Sequence, residues 1–525
     1  MSRLLFCLVP VLYGLLAVAL GQDANWDLRN YHWYNGYALL TGRYFSSQFQ
    51  DDFGLDIVPS QTPFFYNPAL DALLYALGTA LPARLVGFVL GAIQGLNFIL
   101  LFCLARRAQH AAAPRRDVYA FLAAALALVG GGTLAELGTC FYDNILSLGI
   151  FAAALLALKA LDEKSGWRAF LIAGLPMGLV IGLKLPAATF AVGLCGALLL
   201  TRGGFKERFT RAIAFGVGVT AGLVVSYAPW GWYLWTHFHN PLFPYFNNIF
   251  HSPVTLPTSA RDTQFMASGW HKLTFPFDWT VDPQKVGEIP FRDLKLPILY
   301  VLLPLGILLA PFQRRRIEGA VTTTVHASFI LWALGLAYAA WLGMFCIYRY
   351  AVPLEMLAAP ALLVALDRLG FRPKAQRLAF LLIMLATLLT LQIGNWTRTD
   401  FGDTYVTVTP PVIADPDHTM LLMAGFQPYS HIVPAFPAQM PVVRVESNFA
   451  MPDESKGVND IIRERIRNWQ QDDKRSFLLL LPVYDMDWVS RQVMPQFGLK
   501  TLLDDCQMLH PNFVEDFRLC KVVRQ

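Results

Sequence analysis

Charged side chains are scarce in this sequence. Asp, Glu, Lys and Arg together make up 15% of the 525 residues, whereas hydrophobic residues make up 55%. Ordinary soluble domains carry about 25% charged residues. Long apolar runs recur along most of the chain. The composition therefore argues against a soluble globular protein and predicts an α-helical polytopic membrane protein.

The motifs of several functional classes are also missing. The seven cysteines are scattered, with no CxxC pair and no Cys/His spacing typical of zinc. There is no Walker loop, no GxGxxG and no HExxH, and every basic cluster borders an apolar run. These absences argue against nucleotide-binding proteins and metalloproteases, and we expect no nucleic-acid partner.

The basic residues predict the orientation of the spans. Short Lys/Arg-rich loops, including the run Arg314, Arg315 and Arg316, all fall on one side if the N-terminus is cytoplasmic and the chain crosses the membrane about eleven times. The C-terminus is then outside. This topology requires Phe64–Leu81, which contains Asn67, Pro68 and Asp71, to be a re-entrant or interfacial helix and not a full span.

Two domains follow from this pattern. Residues 1–394 are predicted to form the transmembrane domain, with extracytoplasmic loops at 21–63 and 231–295. The polar residues 395–525 are predicted to form a small extracytoplasmic α/β domain. Its predicted strands are Met420–Ala424, Val442–Val445, Ser476–Leu481 and Phe517–Val523, and its predicted helices are Gly457–Gln471 and Trp488–Phe497.

The two cysteines of the polar tail are Cys506 and Cys520. Outside the cytoplasm they could form a disulfide, because oxidising compartments favour such bonds. The alternative is two reduced thiols, and the spacing does not decide between them.

An acidic, aromatic segment directly follows the first apolar run. It is Gln22–Arg43, QDANWDLRNYHWYNGYALLTGR. If it is helical, steps of three and four residues place Asp23, Asp27 and Tyr31 on one face. The neighbouring face carries aromatic residues suited to a membrane interface, namely Trp26, Trp33 and Tyr37. We predict that Asp27 is a general base, with Asp23 as the other candidate. A surface helix with solvated acidic caps is the alternative.

Four more ionisable residues are predicted at the outer face. Glu136 and Asp143 are seven residues apart and would share one helical face, Lys184 lies in GLKLP, and Arg349 lies in FCIYRYAVPLE. Charges at membrane depth are costly and tend to be functional. The alternative is that the two cations snorkel or pair internally with Glu136, Asp143 or Glu355.

These residues together predict a chemistry. A cation pair can hold a lipid-linked phosphate, while a carboxylate takes the proton of an incoming hydroxyl. The pattern predicts sugar transfer from a polyprenyl-phosphate donor by direct displacement, with inversion. Tyr31, His32 and Tyr350 adjoin the charged residues, and we predict that they also contact substrate.

Five segments resemble glycosyltransferases of the GT-C superfamily, among them bacterial relatives in fold of protein O-mannosyltransferases and the lipid A aminoarabinose transferase. They are WDLRNYHWYNGYALLTGR, ELGTCFYDN, GLKLPAA, NPLFPYFN and YRYAVPLEML. The resemblance implies Asp27 as the base and Arg349 as a phosphate ligand. It also implies a bacterial inner membrane location, a periplasmic site, and a glycan, lipid or protein acceptor.

The sequence departs from the family at the first acid. The paired DE or DxD form is absent, because Leu28 and Arg29 follow Asp27. No cofactor is therefore definite, and a divalent metal stays an open alternative.

Two other functions use the same features. A transporter or flippase for lipid-linked sugars would bind the phosphate without chemistry, and inverted repeats would be expected, which the sequence does not show. An O-antigen-type polymerase or ligase would use a diphosphate-linked donor.

Overall fold

The structure, a computed structural model, describes residues 3–45, 66–111, 113–309, 324–447, 457–513 and 515–525. The chain divides into two units. The first comprises Met1–Leu20, Gly87–Ala228 and Asp262–Trp396, and the second comprises Gly21–Val86, Pro229–Arg261 and Thr397–Gln525. The domain boundary expected near residue 394 stays a prediction.

Helices dominate the chain. In order they are α1 Arg3–Leu20, α2 Trp33–Leu40, α3 Ala69–Ala80, α4 Ala83–Gly95, α5 Asn97–Ala108, α6 Arg116–Leu128, α7 Gly131–Ala135, α8 Asp143–Asp162, α9 Trp167–Leu183, α10 Ala188–Leu200, α11 Phe205–Phe238, α12 Asn247–Phe250, α13 His271–Val281, α14 Lys295–Leu309, α15 Thr324–Met344, α16 Val352–Arg368, α17 Pro373–Thr390, α18 Val458–Gln470 and α19 Met486–Trp488.

Within the described ranges, six helical segments are long and apolar enough to cross a membrane. They are Ala83–Ala108, Asp143–Asp162, Phe205–Phe238, Val325–Met344, Tyr348–Arg368 and Pro373–Thr390. Shorter apolar helices occupy Phe6–Leu20, Ala69–Ala80, Trp167–Leu183, Leu185–Leu200 and Lys295–Leu309. The predicted helical polytopic fold is confirmed, whereas the number of about eleven spans stays a prediction.

Several sequence-based expectations fall partly outside the described residues. These are the loop residues 46–63, the first two residues of Phe64–Leu81, and Arg314, Arg315 and Arg316. The sequence also predicts spans at Leu296–Phe312 and Val321–Phe345, whose ends at 310–312 and 321–323 lie outside the described residues. The described part of Phe64–Leu81 contains the helix α3, which has 12 residues. At 1.5 Å per residue it is about 18 Å long, too short for a hydrocarbon core of about 30 Å.

One predicted span is interrupted. The sequence predicts a single helix over Val118–Leu134, but α6 ends at Leu128 and a separate short helix, α7, begins at Gly131. The buried Glu355 carboxylate accepts hydrogen bonds from the Gly132 and Thr133 amides at 3.1 and 3.0 Å, at the beginning of α7. A helix that ran on unbroken would use these amides internally, so their capture by Glu355 accounts for the break.

Two short strands, β1 Gln22–Asp23 and β2 Arg398–Thr399, form a separate pair. The polar tail also contains a five-stranded sheet. Its strands are β3 Thr419–Met423, β4 Val442–Arg444, β5 Ser476–Pro482, β6 Leu499–Leu509 and β7 Phe517–Arg524, in the order β4-β3-β5-β7-β6. β3 is parallel to β4 and β5, whereas β7 is antiparallel to β5 and β6. This sheet confirms the predicted small α/β tail.

Strand β6 was not expected from the sequence. Its residues LKTLLDDCQML carry two acids in the middle, and most of its side chains are partly or fully exposed. The register against β7 shifts between Thr501 and Cys506, where the alternation of buried and exposed residues is lost. Further along, Cys506 and Cys520 are register partners and form a disulfide, so the open choice between disulfide and thiols resolves to the disulfide.

Candidate functional site

The acidic segment of the second unit begins as a strand. β1 (Gln22–Asp23) pairs antiparallel with β2 (Arg398–Thr399). The buried Asp23 carboxylate accepts hydrogen bonds from the Asn25 backbone amide at 3.1 Å and from the Asn25 side-chain amide at 2.8 Å. The expectation that Asp23 shares a helical face with Asp27 is therefore wrong, because backbone pairing with β2 holds Asp23 extended.

Asp27 stands at the beginning of an unusual helical turn. It is the N-cap of a π-helix over Leu28–His32, which continues directly into α2. Single π turns are rare and are frequently found at functional sites. Asp27 is half-buried, whereas Asp23 is buried. Of the two candidate bases, Asp27 is the more accessible.

The π-helix also presents a histidine to a second acid. His32 Nδ1 lies 2.6 Å from Asp71 Oδ1, and both side chains are buried. Asp71 is on α3, whereas Gly36 is on α2. An alanine at position 36 would put its Cβ 2.3 Å from the Asp71 carbonyl oxygen. Gly36 therefore permits the close approach of α2 and α3 that brings the pair together. Sequence reasoning missed Asp71 as a site residue, although an acid inside an apolar run was a signal.

Aromatic side chains surround this pair. The Tyr31 ring centroid lies 4.3 Å from that of His32 and 5.2 Å from that of Tyr66. The Tyr245 hydroxyl donates to the Tyr66 hydroxyl at 3.1 Å. Trp33, expected at a membrane interface, is instead buried against Tyr75 and Tyr405.

In the first unit, the predicted cations come together. Lys184 follows the last residue of α9, and its Nζ donates to the Asp143 carboxylate and to the Phe141 carbonyl oxygen at 2.8 Å. The same Nζ lies 5.2 Å from the Tyr350 ring centroid. The internal pairing considered for Lys184 thus occurs with Asp143.

Arg349 lies on a 3₁₀ turn, Tyr348–Ala351, just before α16. Its guanidinium carbon is 4.5 Å from the Phe141 ring centroid and 5.2 Å from that of Trp396, so the two rings hold it by cation–π contact. Both Arg349 and Lys184 keep partial exposure.

Glu136 completes this group. It is buried within electrostatic range of Asp143, Lys184 and Arg349, and neither carboxylate oxygen accepts a hydrogen bond from any residue that the structure describes. We call Glu136, Asp143, Lys184, Arg349 and Tyr350 the cation cluster. It contains all five residues that the sequence predicted in this unit.

A second buried network supports the cluster. Glu355 also accepts hydrogen bonds from the Thr133 hydroxyl and the Tyr348 hydroxyl, both at 2.6 Å. Lys295, fully buried, pairs with Asp293 at 2.8 Å and donates to the Val129 carbonyl oxygen at 2.8 Å. These contacts join the Arg349 turn to α7. The sequence suggested Glu355 only as a counter-ion.

Among the residues that the structure describes, no group of three or more His, Cys, Asp or Glu side chains is arranged to hold a metal ion. The predicted site residues therefore lie in two groups. Asp23, Asp27, Tyr31 and His32 belong to the second unit, and the cation cluster belongs to the first.

Residues 67–232 match the family model of dolichyl-phosphate-mannose-protein mannosyltransferases. This match confirms the resemblance to GT-C glycosyltransferases that the sequence motifs indicate. No curated protein matches significantly.

A solved structure that aligns with the chain is the oligosaccharyltransferase of Archaeoglobus fulgidus, crystallised in complex with zinc and sulfate. The alignment covers 91% of this chain and 68% of the archaeal chain, with 14% identity and a TM-score of 0.42. A likeness of this size carries no argument about the site.

Proposed function

We propose that this chain, a multi-pass membrane glycosyltransferase of the GT-C superfamily, transfers a sugar from a polyprenyl-phosphate donor to a glycan, lipid or protein acceptor. The reaction takes place on the periplasmic face of the bacterial inner membrane and inverts the anomeric centre. The family matched over residues 67–232 supports the donor class, because its description names a lipid phosphate-linked sugar.

The observation that carries the proposal is the cation cluster. Two partly exposed cations, Lys184 and Arg349, lie at the ends of apolar helices beside buried carboxylates. A lipid phosphate at the membrane interface needs charge-assisted donors at this depth. The Arg349 guanidinium offers a planar fork for phosphate oxygens, and Asp143 holds the Lys184 ammonium in position.

In the proposed reaction, an acceptor oxygen attacks the anomeric carbon while the bond to the phosphate oxygen breaks. The electron pair of that bond leaves with the phosphate, whose growing charge Arg349 and Lys184 stabilise. The acceptor proton passes to the Asp27 carboxylate, which acts as the general base. The phosphate needs no proton to depart, so one base is sufficient.

A donor screen tests this function. Purified full-length protein in nanodiscs would be incubated with a panel of labelled polyprenyl-phosphate sugars and mixed acceptors. We expect one donor to be consumed, with stoichiometric release of polyprenyl phosphate. Tight donor binding without transfer to any acceptor would instead support a transporter or flippase, and consumption of only diphosphate-linked donors would support a polymerase or ligase.

A further inference from the structure

The tail sheet has a topological switch point that the proposed transfer reaction does not use. From β3 the chain continues to β4 on one side, and from β5 it continues to β6 and β7 on the other side. The carboxyl ends of β3 and β5 are adjacent, since these strands are parallel neighbours. In open α/β sheets, ligands bind at such a switch point.

Two carboxylates occupy this edge. Glu446 accepts a hydrogen bond from the Gly425 amide at 2.6 Å, and Asp485 accepts one from the Phe426 amide at 3.1 Å. Burial raises the pKa of both carboxyl groups above their ordinary values. Because the carboxylates already use the loop amides, an anionic ligand such as a phosphate is disfavoured at this edge.

Arg444 lies beneath the same loop with an unused donor. The side chain is 3% exposed, and it donates to the Gln427 and Glu446 carbonyl oxygens, each at 2.8 Å. Its Nη1 has no hydrogen-bond partner in the part of the chain that the structure describes, although Glu446 and Asp485 are within electrostatic range. A buried donor of this kind favours a ligand that brings an acceptor oxygen.

Three aromatic side chains border the carboxylates and face solvent. Phe426 is 50% exposed, Tyr484 is 58% exposed and Trp488 is 52% exposed. The Trp488 indole lies beside the Glu446 carboxyl group and lowers its pKa, against the larger effect of burial. Exposed rings offer flat apolar surfaces, while the carboxylates accept hydrogen bonds from hydroxyl groups. A sugar ring has both an apolar face of C–H groups and a rim of hydroxyls.

We propose that this edge of the sheet binds a saccharide and docks the glycan acceptor. Contacts within the same unit link it to the catalytic segment. The Tyr484 hydroxyl donates to Glu515 at 2.9 Å, and Glu515 pairs with Arg29 at 3.4 Å, two residues after Asp27. The acceptor role rests on the proposed function, whereas saccharide binding itself does not.

Calorimetric titration tests the binding. The full-length protein would be placed in nanodiscs, because sugar-headed detergents would compete, and titrated with trisaccharides of glucose, mannose, glucosamine and N-acetylglucosamine. We expect saturable binding of at least one trisaccharide. Trp488→Ala removes a stacking surface, and Asp485→Asn removes a carboxylate acceptor of hydrogen bonds. Each variant should weaken trisaccharide binding about tenfold. Val523→Ala, at the opposite end of the sheet, is the matched control and should leave affinity unchanged.

Absence of saturable binding by every trisaccharide would overturn the proposal. So would an equal loss of affinity in the Val523→Ala control, or inorganic phosphate binding that Asp485→Asn strengthens. The Asp27→Asn variant separates this proposal from the catalytic one. Its saccharide affinity should equal that of the wild type whether or not its transfer activity is lost.

Discussion

At the scale of single residues, the two cations of the cation cluster differ in how they are held. Lys184 pairs with Asp143, whereas Arg349 rests between the Phe141 and Trp396 rings. A guanidinium is a planar fork of donors that matches pairs of phosphate oxygens, whereas an ammonium is a point charge. We therefore expect Arg349 to make the stronger donor contact.

Alanine substitution tests this assignment. Arg349→Ala or Lys184→Ala should each remove a charge-assisted contact worth about 1.5–3 kcal/mol and weaken donor binding roughly 10- to 100-fold. Arg349→Lys should restore only part of the affinity, because a point charge replaces a fork. Donor affinity measured in nanodiscs decides the matter. Unchanged affinity in both alanine variants would mean that the cations serve only the fold.

A second residue-scale prediction concerns acid stability. Burial, together with the nearby Arg29 charge, lowers the pKa of His431 from 6.5 to about 3. The folded state holds this histidine neutral, while the unfolded state takes up a proton below about pH 6.5. The stability contributed by a neutral His431 is therefore fully present above pH 6.5 and is lost as the pH falls from 6.5 towards 3, by about 1.4 kcal/mol per unit.

His431→Gln should accordingly reduce the drop in melting temperature between pH 7 and pH 4.5. The exposed His418, which pairs with Asp415, provides the control variant His418→Gln. Differential scanning fluorimetry of the full-length protein measures both. Equal acid sensitivity in the His431 variant and the wild type would contradict the argument.

At the scale of elements, the short helix α7 depends on one carboxylate. Glu355 accepts hydrogen bonds from two α7 amides, the Thr133 hydroxyl and the Tyr348 hydroxyl. Glu355→Ala would leave these buried donors without their acceptor, at a cost of about 1–3 kcal/mol for each group. We expect a large fall in melting temperature and yield. The control Glu163→Ala removes an exposed acid, paired with Lys159 at 3.9 Å, and should change little.

Elements with strong periodic signals could be predicted from the sequence. β5 was expected at Ser476–Leu481 and lies at Ser476–Pro482, because a continuous apolar run is typical of a strand buried on both faces. β6 could not be predicted, because its exposed position at the edge of the sheet removes the alternation of buried and exposed residues. The break before α7 depends on Glu355, more than 200 residues away, which local patterns do not reveal.

The candidate site was predictable to a similar degree. Ionisable residues in apolar surroundings, such as Lys184 and Arg349, stand out in the sequence, and the structure brings them together. Asp71 and Glu446 were missed as site residues, because their roles arise from partners distant in sequence, His32 and the Gly425 amide. The π turn after Asp27 has no sequence signal that distinguishes it from an ordinary helix.

At the scale of the whole molecule, the tail and the first loop belong to one unit. The Ser430 hydroxyl donates to the Arg29 carbonyl oxygen at 3.0 Å, and Arg43 donates to the Ala438 carbonyl oxygen at 2.7 Å. These contacts hold the π-helix that follows Asp27 against the segment that connects β3 and β4 of the tail sheet. Sequence patterns predicted both segments but not their association.

The predicted topology places this unit outside the cytoplasm. A cysteine introduced by Val412→Cys, at a side chain that is 97% exposed, should react with a membrane-impermeant maleimide in intact spheroplasts. Lys164→Cys, in a loop predicted to be cytoplasmic, should react only after permeabilisation. Each variant would be compared with the parent chain, because five cysteines outside the disulfide are already present. The reverse pattern would contradict the topology.

The central claim is that Asp27 accepts the acceptor proton in sugar transfer, and one comparison of variants tests it most directly. Asp27→Asn keeps the size of the side chain but cannot take up the proton, so turnover should fall by about 10²- to 10⁴-fold while donor binding stays near the wild-type value. Asp23→Asn should lower turnover much less, since Asp23 is buried and bonded to Asn25. Turnover and donor affinity would be measured separately at equal expression. Near-normal turnover of Asp27→Asn, with or without loss in Asp23→Asn, would contradict the account.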